Sequence, residues 1–406
     1  MLPRLFLLLN SLLIVHSVRI PIGAIFQEDS LSEEDFQLAL NKHQAQTELF
    51  ELYSIHLKEI QIPLLVEKMC SLVSKGAMGI FLGQFSASKE TMNMVVSAAE
   101  AFKVPVFMLD YPSTEDEPNL TYSYAVHMRP SLTDVTVAWL QYNNWTNFSY
   151  ITSSAEGLYR LDQIVRKMPS ISPNNVDIRY VENIIDSDSV TPELKALDDH
   201  LDSKTGKNVI LDMDSVKRIK VRNQTPELQN LLNNLIRLGM NRRDYNYLIC
   251  SYDVRAFYLE GFKYSGVHLS GFQLNTTGEY NPSDYEVQSP TYESRQALYY
   301  DALLLMADKA MRILKGDHSR KNYQQMLAKA KDSLDYASRY LKMNAELDSC
   351  LINGADFPES LPFRRQLRDE IYSSINPVQG ETGLLSFGSR DLLRNDYQVD
   401  IVSMKP

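Results

Sequence analysis

The sequence has no basic run, only three cysteines and, past its first seventeen residues, no stretch approaching the roughly 18 consecutive apolar residues of a membrane helix. Each shortage excludes something. Acidic residues number 51 against 41 basic ones spread along the chain, for a formal charge of −10, which argues against nucleic acid and anionic membrane surfaces as partners. Three cysteines allow one disulfide and leave one thiol over. Cys250 ends the run Tyr245-Asn-Tyr-Leu-Ile249, which reads as a buried strand, so it is taken as the free, inert thiol. The seven histidines are scattered and none sits at ligand spacing from a cysteine, so no metal site is expected. Gly-x-Gly-x-x-Gly after a strand, the Gly-x-Ser-x-Gly elbow and the Walker loop are all missing, so neither an enzyme nor a cofactor is expected. The carboxylate pairs Asp212 with Asp214 and Asp198 with Asp199 read as solvated loop or strand-end residues, since chemistry there would need a histidine or metal ligand placed with them.

What is present is a globular composition, 44% apolar and 23% charged, over 406 residues, enough for two domains with their own cores. Residues 1–17 read as a signal peptide: Arg4, then Leu5 to Val15 broken only by Asn10 and Ser11, then small residues suited to cleavage after Ser17. An uncleaved anchor or a buried strand is the alternative. Sequons at Asn119, Asn144, Asn147, Asn223 and Asn275 point the same way, toward the secretory route. Asn144 and Asn147 stand too close for both to be expected to carry glycans.

In chain order, apolar runs alternate with amphipathic segments. Strands are expected at 19–26, 51–60, 78–82 and 104–109, with helices at 33–46, 63–75 and after 88. Ser86 or Ser88 can cap that last helix. After an extended stretch through Met128 the alternation resumes with a helix capped by Ser131, and strands at 148–152, 176–181, 209–213 and 247–250. Residues 266–274 read as an extended return connection. A long helix follows, with Ala297, Tyr300, Leu304, Ala307, Met311 and Leu314 on one face and Asp301 largely off it. The pattern is α/β, two mostly parallel sheets with right-handed crossovers.

Several phrases occur in a telling order. Arg129-Pro-Ser precedes a helix and Trp145-Thr-Asn-Phe-Ser-Tyr150; then come Tyr245-Asn-Tyr-Leu-Ile-Cys250, Val267-His-Leu-Ser-Gly-Phe-Gln-Leu274 and Tyr299-Tyr-Asp-Ala-Leu-Leu-Leu-Met306. Together they resemble the amino-terminal domain of ionotropic glutamate receptors, with the AMPA subtype nearest. Gly383-Leu-Leu-Ser-Phe-Gly388 with Asn395-Asp-Tyr-Gln-Val-Asp-Ile-Val402 resembles the hairpin that closes that domain. The resemblance implies a two-lobed clamshell of the periplasmic-binding-protein type with three inter-lobe crossovers. Lobe one is expected over residues 18–127 and 272–375, and lobe two over 128–271 and 376–406. It also implies a disulfide between Cys70 and Cys350, for which the chain-entropy model gives about 5 kcal/mol.

By the same resemblance, the domain serves dimerisation and assembly of homologous subunits, as homo- or heterodimers within a tetramer, through the helices at 63–75 and 89–102. Spacing does not divide Leu64, Val66, Leu72 and Val73 between core and interface. Synaptic proteins are further partners to consider. The expected setting is extracellular, on the postsynaptic face of the plasma membrane within a receptor, or secreted as a stand-alone decoy or organiser. The alternative function is an amino-acid-binding module, in which Ser86 and Ser88 would hold an α-carboxylate at a helix N-terminus.

Overall fold

The structure is a computed structural model in which residues 19–28, 31–45, 49–58, 60–83, 89–109, 124–168, 176–184, 190–201, 207–213, 227–276, 292–315, 360–373, 377–388, 394 and 396–404 are described. Contacts divide the chain into two units, Met1–Pro130 with Arg295–Asp396 and Ser131–Ser294 with Tyr397–Pro406. The first unit opens with strand β1 (Ile20–Gln27), helix α1 (Leu31–Gln44), β2 (Phe50–Leu57), α2 (Ile62–Ser74), β3 (Ile80–Leu82), α3 (Lys89–Phe102), β4 (Val106–Met108) and β5 (Ala125–His127). These strands form a parallel sheet in the order β2-β1-β3-β4-β5. Successive residues of a strand face opposite ways. Ile25 thus joins Leu65, Met69, Leu72, Val95 and Ala99 under α2 and α3, while Phe26 meets Phe36 of α1 on the other face at 5.4 Å between ring centroids.

The second unit holds α4 (Leu132–Tyr142), β6 (Asn147–Thr152), α5 (Ala155–Lys167), β7 (Asp177–Asn183), α6 (Val190–His200), β8 (Lys207–Asp212), α7 (Glu227–Arg237), β9 (Tyr245–Ile249) and β10 (His268–Leu274). Leu228, Leu231, Leu232 and Leu235 of α7 are fully buried in one cluster with Val209, Leu211, Tyr247 and Ile249. Ser131 stands at the N-cap of α4, but its side chain makes no capping bond; its carbonyl accepts from the Tyr252 hydroxyl at 2.9 Å. Residues 268–274 are not a return connection. They form β10, parallel to β9 and antiparallel to the last strand, β13 (Val399–Met404), in the sheet β13-β10-β9-β8-β6-β7.

Between β10 and β13 come α8 (Tyr292–Lys315), α9 (Ser360–Ile371), β11 (Val378–Gly380) and β12 (Gly383–Leu385). Helix α9 has no counterpart among the sequence expectations. Ala297, Tyr300 and Ala307 of α8 are buried as the periodicity requires, yet Leu298, Asp301, Ala302, Leu305 and Met306 are buried more completely, at 0% exposure. The helix is covered on more than one face. Met306 lies over the sheet at Gly79, where a Cβ would stand 3.0 Å from its sulfur, and Asp301 accepts from the backbone of the β11–β12 turn. The closing segments expected to form one hairpin meet at a single antiparallel bridge, Phe387 with Arg394, while their strands pair elsewhere: β11 with β12 in the first unit, and β13 with β10 in the second. Contacts thereby group 272–294 with the second unit and 376–396 with the first, each opposite to the lobe expected. The reason is strand pairing at Phe272–Leu274 and the hold of Asp301 on the turn.

Candidate functional site

In open α/β sheets, ligands bind at the carboxyl ends of strands where the strand order reverses. Each unit has such a point, between β1 and β3 in the first and between β6 and β8 in the second. In the first unit β3 ends at Leu82, whose carbonyl accepts from the Tyr299 hydroxyl at 3.3 Å. Ser86 and Ser88 follow in sequence and lie outside the described residues.

In the second unit the corresponding point is filled by the protein itself. Asp212 ends β8 with its side chain 4% exposed and pairs with Arg160 of α5. The hydroxyl of Tyr150 donates to the same carboxylate and stands 3.0 Å from the Gly157 carbonyl. Burial first, then the Asp212 charge, pushes the Tyr150 phenol well above its ordinary value. Gly157 sits in the first turn of α5, where its N–H donates to the capping Ser154 Oγ at 3.1 Å. A Cβ there would collide with Thr152 Oγ1, so only glycine lets the helix start this close to the strand end. The Arg160 guanidinium, a natural receptor of a ligand anion, is thus occupied by an internal carboxylate. The sequence pattern places Asp212 in solvent; in the structure Arg160, 52 residues upstream, pairs with it, and spacing carries no trace of that pairing.

The thiol of Cys250, at the end of the neighbouring β9, is free and buried. Burial, followed by the Asp212 charge, pushes it up to about 12, so it stays protonated and unreactive. No three His, Cys, Asp or Glu side chains gather as a metal site among the described residues. Nor, among them, is any helix long and apolar enough to cross a membrane. The signal-peptide residues 1–17 lie outside the described residues.

The second candidate is the outer surface of α2 and α3. Leu72 and Val73 are core residues, 0% and 7% exposed, and Leu72 closes over Gly23 of β1, where a Cβ would lie 2.8 Å from its Cδ1. Leu64 and Val66 are half-buried at the margins of the helix and pack against the same cluster. Between them the outer stripe of α2 carries Glu67 and Ser71. On α3, Met94 is 43% exposed, and Ser97 and Ala101 follow it at helical spacing, both exposed. Structure therefore divides what spacing left undivided: Leu72 and Val73 point inward, and Leu64, Val66 and Met94 border the solvent.

Cys70 is half-buried on α2 and is disulfide-bonded; Cys350 lies outside the described residues. Among the sequons, Asn119 and Asn223 also lie outside them. Asn144 sits in an exposed turn with φ 54°. Asn147 begins β6, and its Oδ1 accepts from Asn208 Nδ2 at 3.3 Å, in a row that continues to Asn246. Asn275 follows β10, where its backbone N–H donates to Gln398 at 2.9 Å.

Comparison with known proteins gives consistent matches. The sequence pattern described as "Receptor family ligand binding region" matches residues 36–355. Glutamate receptor 3 of Rattus norvegicus, of Mus musculus and of Homo sapiens are each 24% identical over 408 residues, covering 95% of this chain. The chain spans 40% of the length of each of these relatives.

Proposed function

This chain belongs to the receptor family ligand-binding region family, and from that premise we propose that it is the extracellular amino-terminal domain of a glutamate-gated channel subunit, pairing and assembling subunits. The similarity to glutamate receptor 3 along 95% of the chain carries the reading. The relatives are receptors and not enzymes. The partners proposed are homologous subunits, as homo- or heterodimers within a tetramer, at the postsynaptic surface. The filled switch point of the second unit favours assembly over amino-acid binding, because a ligand carboxylate there would have to displace Asp212 from Arg160. A secreted organiser would use the same pairing surface.

The surface proposed for pairing is the outer face of α2 and α3, with Leu64, Val66 and Met94 as its apolar contacts. Sedimentation of the secreted chain should give a dimer at micromolar concentration. Met94→Asp should weaken it at least about tenfold, since a charge desolvated in an interface costs more than about 1.4 kcal/mol. The melting temperature should stay within about 2 °C, because Met94 is already 43% exposed in the monomer. A wild-type monomer at high micromolar concentration would remove the assembly reading. The bond at Cys70 is proposed to run to Cys350. Peptide mapping without reduction should recover the two as one linked species; both as free thiols would refute the pairing.

A further inference from the structure

Among the described residues, one fully buried cation of the first unit has no counter-charge. Arg364 of α9 is 1% exposed and among the largest fully buried side chains. Its Nη2 donates to the Val73 carbonyl, in the last turn of α2, at a long 3.4 Å. Among the described residues its Nε finds no partner, and neither does the buried hydroxyl of Tyr124. Tyr124 is the one titratable group whose charge acts on the guanidinium. Two other cations nearby are provided for. Lys103 and Arg368 lie 5.5 and 5.1 Å from the Tyr124 ring centroid, and they pair with Glu100 and Asp369. No described carboxylate does this for Arg364. Burial lowers its pKa only to about 10, so it remains cationic at neutral pH.

We propose that Arg364 and the Tyr124 hydroxyl bind a small monovalent anion, chloride in physiological salt. Water could satisfy the orphaned donors, but not the charge, and an isolated buried guanidinium is strongly penalised. The single positive charge sets the valence of the ion, and full burial sets its size.

The test is thermal unfolding of the full chain in sodium chloride against sodium gluconate at fixed ionic strength. Chloride should raise the melting temperature saturably by about 2–4 °C, with bromide substituting and the larger gluconate failing. Arg364→Met should abolish the dependence and Tyr124→Phe should weaken it. Crystals soaked in bromide should show an anomalous peak beside Arg364 Nε. Equal melting in both salts, an undiminished chloride effect in Arg364→Met, or no bromide at Arg364 would overturn the proposal. Should Arg364→Met fail to fold, the Tyr124→Phe titration and the bromide map decide it.

Discussion

Replacing Asp301 with alanine is expected to destabilise the protein by about 3–5 kcal/mol and to release the β11–β12 hairpin. The carboxylate is fully buried in α8 and accepts from Glu381 N at 2.6 Å, Thr382 N at 3.0 Å and Thr382 Oγ1 at 2.5 Å. Arg394 completes the knot, donating to Thr382 Oγ1 at 2.6 Å and to the Thr382 carbonyl at 2.9 Å. Alanine would strand three buried donors at once. Asparagine should cost nearly as much, because one oxygen that now accepts becomes an NH2 facing donors. The approach is also close enough to demand glycine: a Cβ on Gly380 would lie 2.5 Å from Asp301 Oδ1. Denaturant unfolding gives the free energy, and hydrogen exchange at residues 378–385 locates it. A loss below about 1 kcal/mol would mean that the knot contributes no more than one ordinary hydrogen bond.

The same residue should leave a pH signature. Burial outweighs the donors and holds the Asp301 carboxyl above its ordinary 3.8. Between 3.8 and that raised value the folded state binds more protons than the unfolded one. The stability contributed by this group therefore falls as pH rises through the window, and Asp301→Ala should remove that slope.

Cutting the ion pair between α1 and α8 should be comparably severe. Arg295 Nε lies 2.9 Å from Asp35 Oδ2, with the side chains 9% and 0% exposed. Asp35→Ala would leave the Arg295 guanidinium buried without this counter-charge, at an expected cost of about 3–5 kcal/mol. The double replacement Asp35→Leu with Arg295→Met should recover most of that loss, since two apolar side chains of similar volume need no counter-charge. A double-mutant cycle measures this directly. Coupling below about 0.5 kcal/mol would show that the two charges do not act as a unit.

The α/β class and most elements were legible because each strand is a short β-branched or aromatic run and most helices bury one stripe. Helix α2 was read at 63–75 and spans Ile62–Ser74; β6 was read at 148–152 and spans Asn147–Thr152. Periodicity misled in α8. It assumes one buried face, whereas this helix is covered on several, so Asp301 fell on the side expected to meet solvent. Helix α9 escaped because Arg364 stands at a core position that no apolar pattern would mark. Unit membership of residues 272–274 and 378–385 escaped too, because a strand's partner lies far away in sequence.

By itself, the sequence determined the alternation of strand and helix, the reading of Cys250 as a free buried thiol and the resemblance that placed the family. These depend on local patterns, or on the order of phrases, and both survive in one dimension. Only tertiary structure decided that Asp212 meets Arg160, that Asp301 holds Thr382, and that Arg364 is buried with no carboxylate beside it among the described residues. Each of those is a balance between the desolvation of a charge and what surrounds it. That balance is set by residues dozens to hundreds of positions apart.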